Sequence, residues 1–128
     1  MKETRIIIAG SRTFNDYKLL KKSIYNLFKD RNIKKNNVRI ISGTANGADK
    51  LGERYAQEFG LKLTKMYAQW NEYGKSAGYI RNEQMAKYAV EDDNLGVLIA
   101  FWDGISKGTK HMIDLANKHG LEVHIIKF

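Results

Sequence analysis

Three short, almost wholly apolar runs constrain the fold of this chain most strongly. They cover residues 5–9, 38–41 and 95–101, and each is followed by a turn that contains glycine. Runs of this length without alternating polar positions are typical of strands that are buried on both faces of a parallel sheet. Residues 61–66 and 121–126 have the pattern of two further strands. The sequence therefore predicts five strands.

Apolar residues recur at helical spacing between these strands. The strict alternation of strand and helix implies right-handed crossovers, with helices covering both faces of the sheet. We therefore expect an α/β fold, namely a Rossmann-like three-layer α/β/α domain with a mainly parallel sheet of about five strands. Asn15 is the predicted N-cap of the first helix. The predicted helices cover residues 16–30, 48–59, 80–89 and 107–119.

Composition limits the protein class. With 128 residues, 43% of them hydrophobic, no proline and no low-complexity linker, we expect residues 1–128 to form a single domain. The absence of cysteine excludes disulfides, thiol catalysis and thiolate metal sites, and it fits a reducing compartment. Neither a membrane-spanning run nor a signal peptide is recognisable, so we expect a cytoplasmic protein without a membrane partner.

The chain is strongly basic. Its 22 lysine and arginine residues exceed its 14 acidic residues and give a formal charge of +8, which favours anionic partners. Seven basic residues and one acid lie between Lys18 and Lys35. This cluster is either a nucleic-acid-binding face or, as we favour, the solvated outer face of an amphipathic helix.

Polar, glycine-containing loops follow three of the predicted strands. The carboxyl ends of parallel strands share one edge of the sheet, and helices that begin there present positive N-termini and free amides to anions. We interpret these loops as a phosphate site, although each glycine alone also fits a simple tight turn. The predicted residues that bind the phosphate or another part of the ligand are Gly10, Ser11, Arg12, Thr13, Ser42, Gly43, Thr44, Asn46, Arg81, Asn82, Asp103, Gly104, Ser106, Lys107, Gly108 and Thr109.

None of these loops matches a common cofactor motif. The chain lacks both the G-x-G-x-x-G dinucleotide fingerprint and the G-x-x-x-x-G-K-[ST] loop, so an ordinary NAD enzyme or nucleoside triphosphatase is not indicated. His111, His119 and His124 show no metal-ligand spacing. We expect no cofactor and no protein-bound metal.

Arg81 is the most informative single charge. It precedes Met85 and Ala89 by four and eight residues, which places it on the inward face of the predicted third helix. An arginine facing inward requires an anion, and a ligand phosphate or carboxylate is the partner that we favour. The alternatives are an internal ion pair, for instance with Glu83, Asp49 or Asp103, and a side chain that snorkels to the surface.

Residues 67–79 lack a regular pattern and carry several aromatic side chains. A segment of this length without regular structure in a small domain is more often functional than idle. Its aromatic residues, together with one that follows the third apolar run, either pack in the core or form a surface on which a base stacks. The candidates for base stacking are Trp70, Tyr73, Tyr79 and Trp102.

Four ordered motifs resemble one protein family. They are I-A-G-S-R at residues 8–12, S-G-T-A-N-G-A-D at residues 42–49, G-Y-I-R-N from residue 78 through Met85, and A-F-W-D-G from residue 100 through Thr109. With these motifs the chain resembles the SLOG superfamily, which contains the LOG phosphoribohydrolases and the DprA DNA-processing proteins. It is most similar to the small stand-alone YspA-like branch.

The resemblance implies a site at the sheet edge for nucleotides or nucleotide-derived signals, and often a homo-oligomer. In LOG enzymes, catalysis uses the arginine of R-K-x-x-M and the glutamate of P-G-G-x-G-T-x-x-E. Arg81 and Met85 match the first motif, with Asn82 in place of its lysine. Met112 stands at the position of the glutamate. A carboxylate at this position would stabilise an oxocarbenium-like transition state, and methionine has none.

Three functions follow as hypotheses. The first is the binding, sensing or sequestering of a phosphate-bearing nucleotide or nucleotide-derived ligand, which the missing glutamate favours. The second is LOG-like hydrolysis of a nucleoside monophosphate, with Arg81, Asp103 and Asp49 as the catalytic candidates. The third, less favoured, is nucleic-acid binding in the manner of DprA.

Overall fold

Five parallel strands form one sheet in the computed structural model, which describes residues 2–128. Their order across the sheet is β3-β2-β1-β4-β5, and every neighbouring pair is parallel. This confirms the predicted α/β fold with a five-stranded parallel sheet. The strands are β1 (Thr4–Gly10), β2 (Val38–Ser42), β3 (Lys62–Lys65), β4 (Leu95–Trp102) and β5 (Glu122–Lys127).

Helices cover both faces of the sheet. They are α1 (Tyr17–Arg31), α2 (Ala48–Phe59), α3 (Trp70–Tyr73), α4 (Ala77–Val90) and α5 (Lys107–Lys118). Short 3-10 turns cover Lys35–Asn37, Gly74–Ser76 and Glu91–Asp93.

The alternation of side chains along β1 divides the core into two layers. Ile6 and Ile8 pack on one face of the sheet with residues of α1 and α2. Ile7 and Ala9 pack on the other face with residues of α4 and α5. Because successive side chains of a strand point to opposite faces, a strand with helices on both sides must be apolar throughout.

One predicted helix cap and one predicted helix start were wrong, and the other predicted boundaries lie within one residue of the observed ones. The N-cap of α1 is Asp16 rather than Asn15, because the Asp16 carboxylate accepts a hydrogen bond from the amide of Leu19 at 3.0 Å. Helix α4 begins at Ala77 rather than at residue 80, since Ala77 is buried and continues the packed face of the helix. Residues 70–76 form α3 and a 3-10 turn, elements too short to produce a detectable periodicity.

The basic cluster lies mainly on the outer face of α1. Leu20, Ile24 and Leu27 of this helix are buried, whereas Lys18 and Lys22 are exposed. The helix thus has the amphipathic arrangement that the pattern predicted. Within residues 2–128, none of the helices combines the length and the apolar character needed to cross a membrane.

A cluster of charges joins three strands at the amino edge of the sheet. The Glu3 carboxylate accepts hydrogen bonds from Arg5 Nε at 3.0 Å, from Arg39 Nε at 3.1 Å and from Lys62 Nζ at 3.2 Å. These bonds, that from Arg39 above all, lower the pKa of Glu3 from its ordinary value of 4.5 to about 2. The ionised carboxylate therefore stabilises the pairing of β1, β2 and β3.

We expect Glu3→Gln to destabilise the fold by about 2 kcal/mol at pH 7, because it removes a charged acceptor shared by three cations. The folded pKa lies below the unfolded one, so the contribution is complete above pH 4.5 and is lost as the pH falls towards 2. Urea unfolding of both proteins between pH 7 and pH 3 measures it. A stability difference that does not change with pH would contradict this role.

Candidate functional site

A cleft of about 240 Å³ opens at the carboxyl edge of the sheet. It lies where β1 and β4 end side by side, and the strand order reverses between these two strands. In open α/β sheets this reversal point is where ligands bind, because the loops that follow the two strands diverge to opposite faces. The predicted site residues that line the cleft are Gly10, Arg12, Asp49, Trp70, Tyr79, Arg81, Asn82, Ser106, Gly108 and Thr109.

The other predicted site residues lie outside the lining. Several of them hold the loops in place, as described below, and others are exposed to solvent. They are Ser11, Thr13, Ser42, Gly43, Thr44, Asn46, Tyr73, Trp102, Asp103, Gly104 and Lys107.

Close contact between β1 and β4 forms the base of the cleft. A Cβ atom at Gly10 would lie 2.3 Å from the carbonyl oxygen of Phe101, so only glycine fits there without displacing the backbone. The amide of Ser11 donates to the same Phe101 oxygen at 2.9 Å. The buried Ser11 hydroxyl accepts from the amide of Asp103 at 3.2 Å. Ser11 therefore ties the β1 and β4 loops together.

The β2–α2 loop is held by buried polar contacts. The Ser42 hydroxyl donates to Glu53 Oε2 at 2.6 Å and accepts from the amide of Thr44 at 3.0 Å. Thr44 has a φ of 66°, a left-handed conformation that costs free energy for a β-branched residue. These contacts place the loop so that Gly43 lies against the site.

Arg81 is held at the cleft by neutral oxygens. Its Nη1 donates to the carbonyl of Gly43 at 2.5 Å, and its Nε donates to Asn82 Oδ1 at 3.2 Å. Among residues 2–128, no carboxylate lies within ion-pair distance of its guanidinium. Partial burial lowers the pKa of Arg81, whereas the field of Asp49 acts in the opposite direction. The remaining N–H groups of a guanidinium with five donors can therefore bind an anion in the cleft.

Among the described residues that line the cleft, Asp49 is the one that carries a carboxylate. It is 5% exposed, and its Oδ2 accepts from the amide of Ala45 at 3.1 Å. Burial raises its pKa from 3.8 to about 6, although the Ala45 amide and the charge of Arg81 oppose this shift. Gly43 makes room for both groups, since a Cβ there would lie 2.8 Å from Asp49 Oδ2 and 3.0 Å from Arg81 Cζ.

Asn82 connects α4 to α5. Its Oδ1 accepts from Arg81, and its Nδ2 donates to the carbonyl of Gly108 at 3.4 Å and lies 3.3 Å from His111 Nδ1. The His111 ring meets the Tyr79 ring edge-on, with centroids 4.5 Å apart. Burial lowers the pKa of His111, which favours the neutral ring that can accept from Asn82. These contacts fix the two helix starts relative to each other.

The first turn of α5 presents polar groups to the cleft. Ser106 is the N-cap, and its hydroxyl accepts from the amide of Thr109 at 3.4 Å. Asp103 Oδ1 accepts from the amides of Ile105 and Ser106 at 2.8 Å and 2.9 Å, and these bonds lower its pKa. Asp103 therefore shapes the loop from outside the cleft. Amides in the first turn of a helix have no intrahelical acceptor, so they and the helix dipole favour an anion.

Several lining residues were not among the predicted ligands. Lys75 and Gly78 belong to the segment without a readable pattern, and Ala9, Ala45 and Met85 read as ordinary core or loop positions. The signal that could have identified Lys75 and Gly78 as cleft residues was a positively charged residue close to a glycine in an irregular segment. Met112, at the position of the LOG glutamate, also lines the cleft and is buried. Residues 2–128 contain no group of three or more metal-ligating side chains placed to hold an ion.

We expect Asp49→Asn to change how stability depends on pH. Because the folded pKa of Asp49 is raised to about 6, its ionisation destabilises the wild-type fold as the pH rises from about 4 to about 6. The variant lacks this loss, so its stability relative to wild type should increase over that window by at most about 3 kcal/mol and then remain constant. Chemical unfolding at a series of pH values measures the effect. Parallel curves for the two proteins would show that Asp49 ionises normally.

The chain is similar in sequence to known proteins. The model of the YspA, cpYpsA-related SLOG family matches residues 4–73. The chain is 30% identical over 125 residues to the Gene 61 protein of Mycobacterium phage D29, and the match covers 93% of each protein.

A solved structure has the same fold. DNA processing protein A (DprA) from Streptococcus pneumoniae matches with a TM-score of 0.70 at 18% sequence identity. The match covers 97% of this chain and 50% of DprA, so the chain spans half the length of that protein. From the family match and its phage relative, the chain belongs to the YspA, cpYpsA-related SLOG family.

Proposed function

We propose that the cleft binds a phosphate-bearing nucleotide or nucleotide-derived molecule, and that the protein senses or sequesters this ligand. One observation carries the proposal: the Arg81 guanidinium and the first turn of α5 line the same cleft at the point where the strand order reverses. Oriented amides and a guanidinium are the groups that proteins use to hold phosphate.

The charge around the cleft favours the same ligand. Arg12 and Lys75 also line it, so three cations accompany the single carboxylate of Asp49. Asp49 has a raised pKa, which weakens its opposition to an incoming anion near pH 6. The formal charge of +8 adds a long-range attraction for anions.

The size of the cleft limits the ligand. A volume of about 240 Å³ lies just below the roughly 300–1,000 Å³ of typical small-molecule sites. This space suits one nucleotide unit with its outer part in solvent, rather than an enclosed dinucleotide. The shared fold of DprA, whose name describes DNA processing, is compatible with a ligand of the nucleotide class.

Arg81→Ala should reduce the affinity for adenosine 5′-monophosphate by roughly 30- to 100-fold, because a hydrogen-bonded charge partner of the phosphate is lost. Isothermal titration calorimetry of the variant and wild type measures this. Arg31→Ala is the matched control, since Arg31 is an exposed arginine that pairs with Glu122 outside the cleft. Equal affinity of wild type and Arg81→Ala, with both proteins folded, would contradict the proposal.

Hydrolysis of the bound nucleotide is a second candidate function, favoured by the position of Asp49 in the cleft near Arg81. Met112 offers no carboxylate at the position of the LOG glutamate, so Asp49 would have to stabilise the developing positive charge. In this case, wild type should release free base from nucleoside monophosphates, and Asp49→Asn should abolish the release. Chromatography of the reaction mixture measures both, and intact nucleotide after prolonged incubation with wild type would exclude this candidate.

A further inference from the structure

Trp70 stands beside the anion-binding groups of the cleft. It begins the short helix α3, and its side chain lines the cleft while the residue remains 54% exposed. The tip of its ring, Cη2, lies 3.6 Å from the position that a Cβ of Gly78 would occupy, and Arg81 Nη2 lies 3.9 Å from the same position. Gly78 therefore lies between the Trp70 ring and the Arg81 guanidinium, and it places no side chain between them.

Core packing does not explain the position of this ring. Trp70 belongs to neither hydrophobic cluster of the described residues. Tryptophan is a large apolar side chain, and leaving half of it in water forgoes much of the free energy that its burial would provide. An exposed ring at the edge of a polar cleft is, however, the arrangement that binds a planar partner by stacking.

The rest of the cleft suits a planar heterocycle. Met85 and Met112 line it from the buried side, and their polarisable thioethers make favourable contacts with aromatic rings. The Tyr79 ring packs edge-on against His111, whereas the Trp70 ring has no aromatic partner among the described residues.

We propose that Trp70 is the base-recognition residue of the cleft: the nucleobase stacks on its indole ring while the phosphate of the same molecule binds Arg81. The inference rests on the proposed function and narrows the ligand class. The protein selects nucleotides, which carry a base, over sugar phosphates, which present the same phosphate and ribose without one. Purine nucleotides bind more tightly than pyrimidine nucleotides, because the larger ring overlaps more of the indole.

The test uses three probes, adenosine 5′-monophosphate, uridine 5′-monophosphate and ribose 5-phosphate, with affinities measured by calorimetry. Trp70→Leu should reduce the affinity for the adenosine nucleotide by about tenfold and leave the affinity for ribose 5-phosphate unchanged. The matched control is Tyr67→Leu, which removes a 58% exposed aromatic residue that does not line the cleft. Trp70 is exposed, so the variant should retain the wild-type thermal unfolding midpoint.

A spectroscopic signal tests the stacking directly. The chain has two tryptophans, and Trp102 lies outside the cleft lining, where its Nε1 donates to the carbonyl of Ser106. In wild type, the adenosine nucleotide should quench the tryptophan fluorescence and ribose 5-phosphate should not; in Trp70→Leu, where Trp102 is the remaining tryptophan, neither should quench it.

The outcomes separate the two proposals. Phosphate binding without base recognition would give equal affinities for the nucleotides and ribose 5-phosphate, no quenching, and no effect of Trp70→Leu; this would overturn the inference and leave the proposed function standing. If none of the three probes binds wild type, the proposed function fails, and the inference fails with it.

Discussion

The close contact of β1 and β4 at Gly10 is the constraint on which the site depends. With a Cβ at this position only 2.3 Å from the Phe101 carbonyl, any larger residue would separate the two strands where their order reverses. The contact allows Ser11 to bond to both the Phe101 carbonyl and the Asp103 amide. The loops after β1 and β4 consequently leave the sheet from a single fixed point, and the cleft opens between them.

The cleft is also shaped by polar groups that hold the surrounding loops and helices in place. Ser42 and Glu53 hold the β2–α2 loop, and Asn82 links α4 to α5. Asp103 organises the turn that leads into α5. Each of these groups makes hydrogen bonds within the protein. Arg81 and the start of α5 are therefore oriented towards the cleft before any ligand binds. Such preorganisation lowers the entropy that a ligand must lose on binding.

The sequence predicted the sheet well because β1, β2 and β4 are buried on both faces, and only uninterrupted apolar runs meet that requirement. It could not distinguish residues that line the cleft from residues that support it. Ser42 and Arg12 look equivalent as polar loop residues, yet Ser42 is buried against Glu53 whereas Arg12 lines the cleft. That distinction arises from side-chain packing between segments far apart in the chain.

The segment of residues 67–79 was least readable for a related reason. Helix α3 has four residues, fewer than the two turns that an amphipathic pattern requires, and most of this segment is exposed, so burial imposes little pattern on it. Even so, it supplies Trp70 and Lys75 to the cleft. The sequence identified Trp70 as a stacking candidate but also named Tyr73 and Trp102, which lie outside the lining.

Backbone amide chemical shifts, followed by NMR during titration with adenosine 5′-monophosphate, test the central claim most directly. If the cleft holds the phosphate, the largest changes will fall on Gly10, Arg81 and the first turn of α5, where the loops meet at the sheet edge. Changes confined to the basic outer face of α1, with the cleft amides unaffected, would contradict the account.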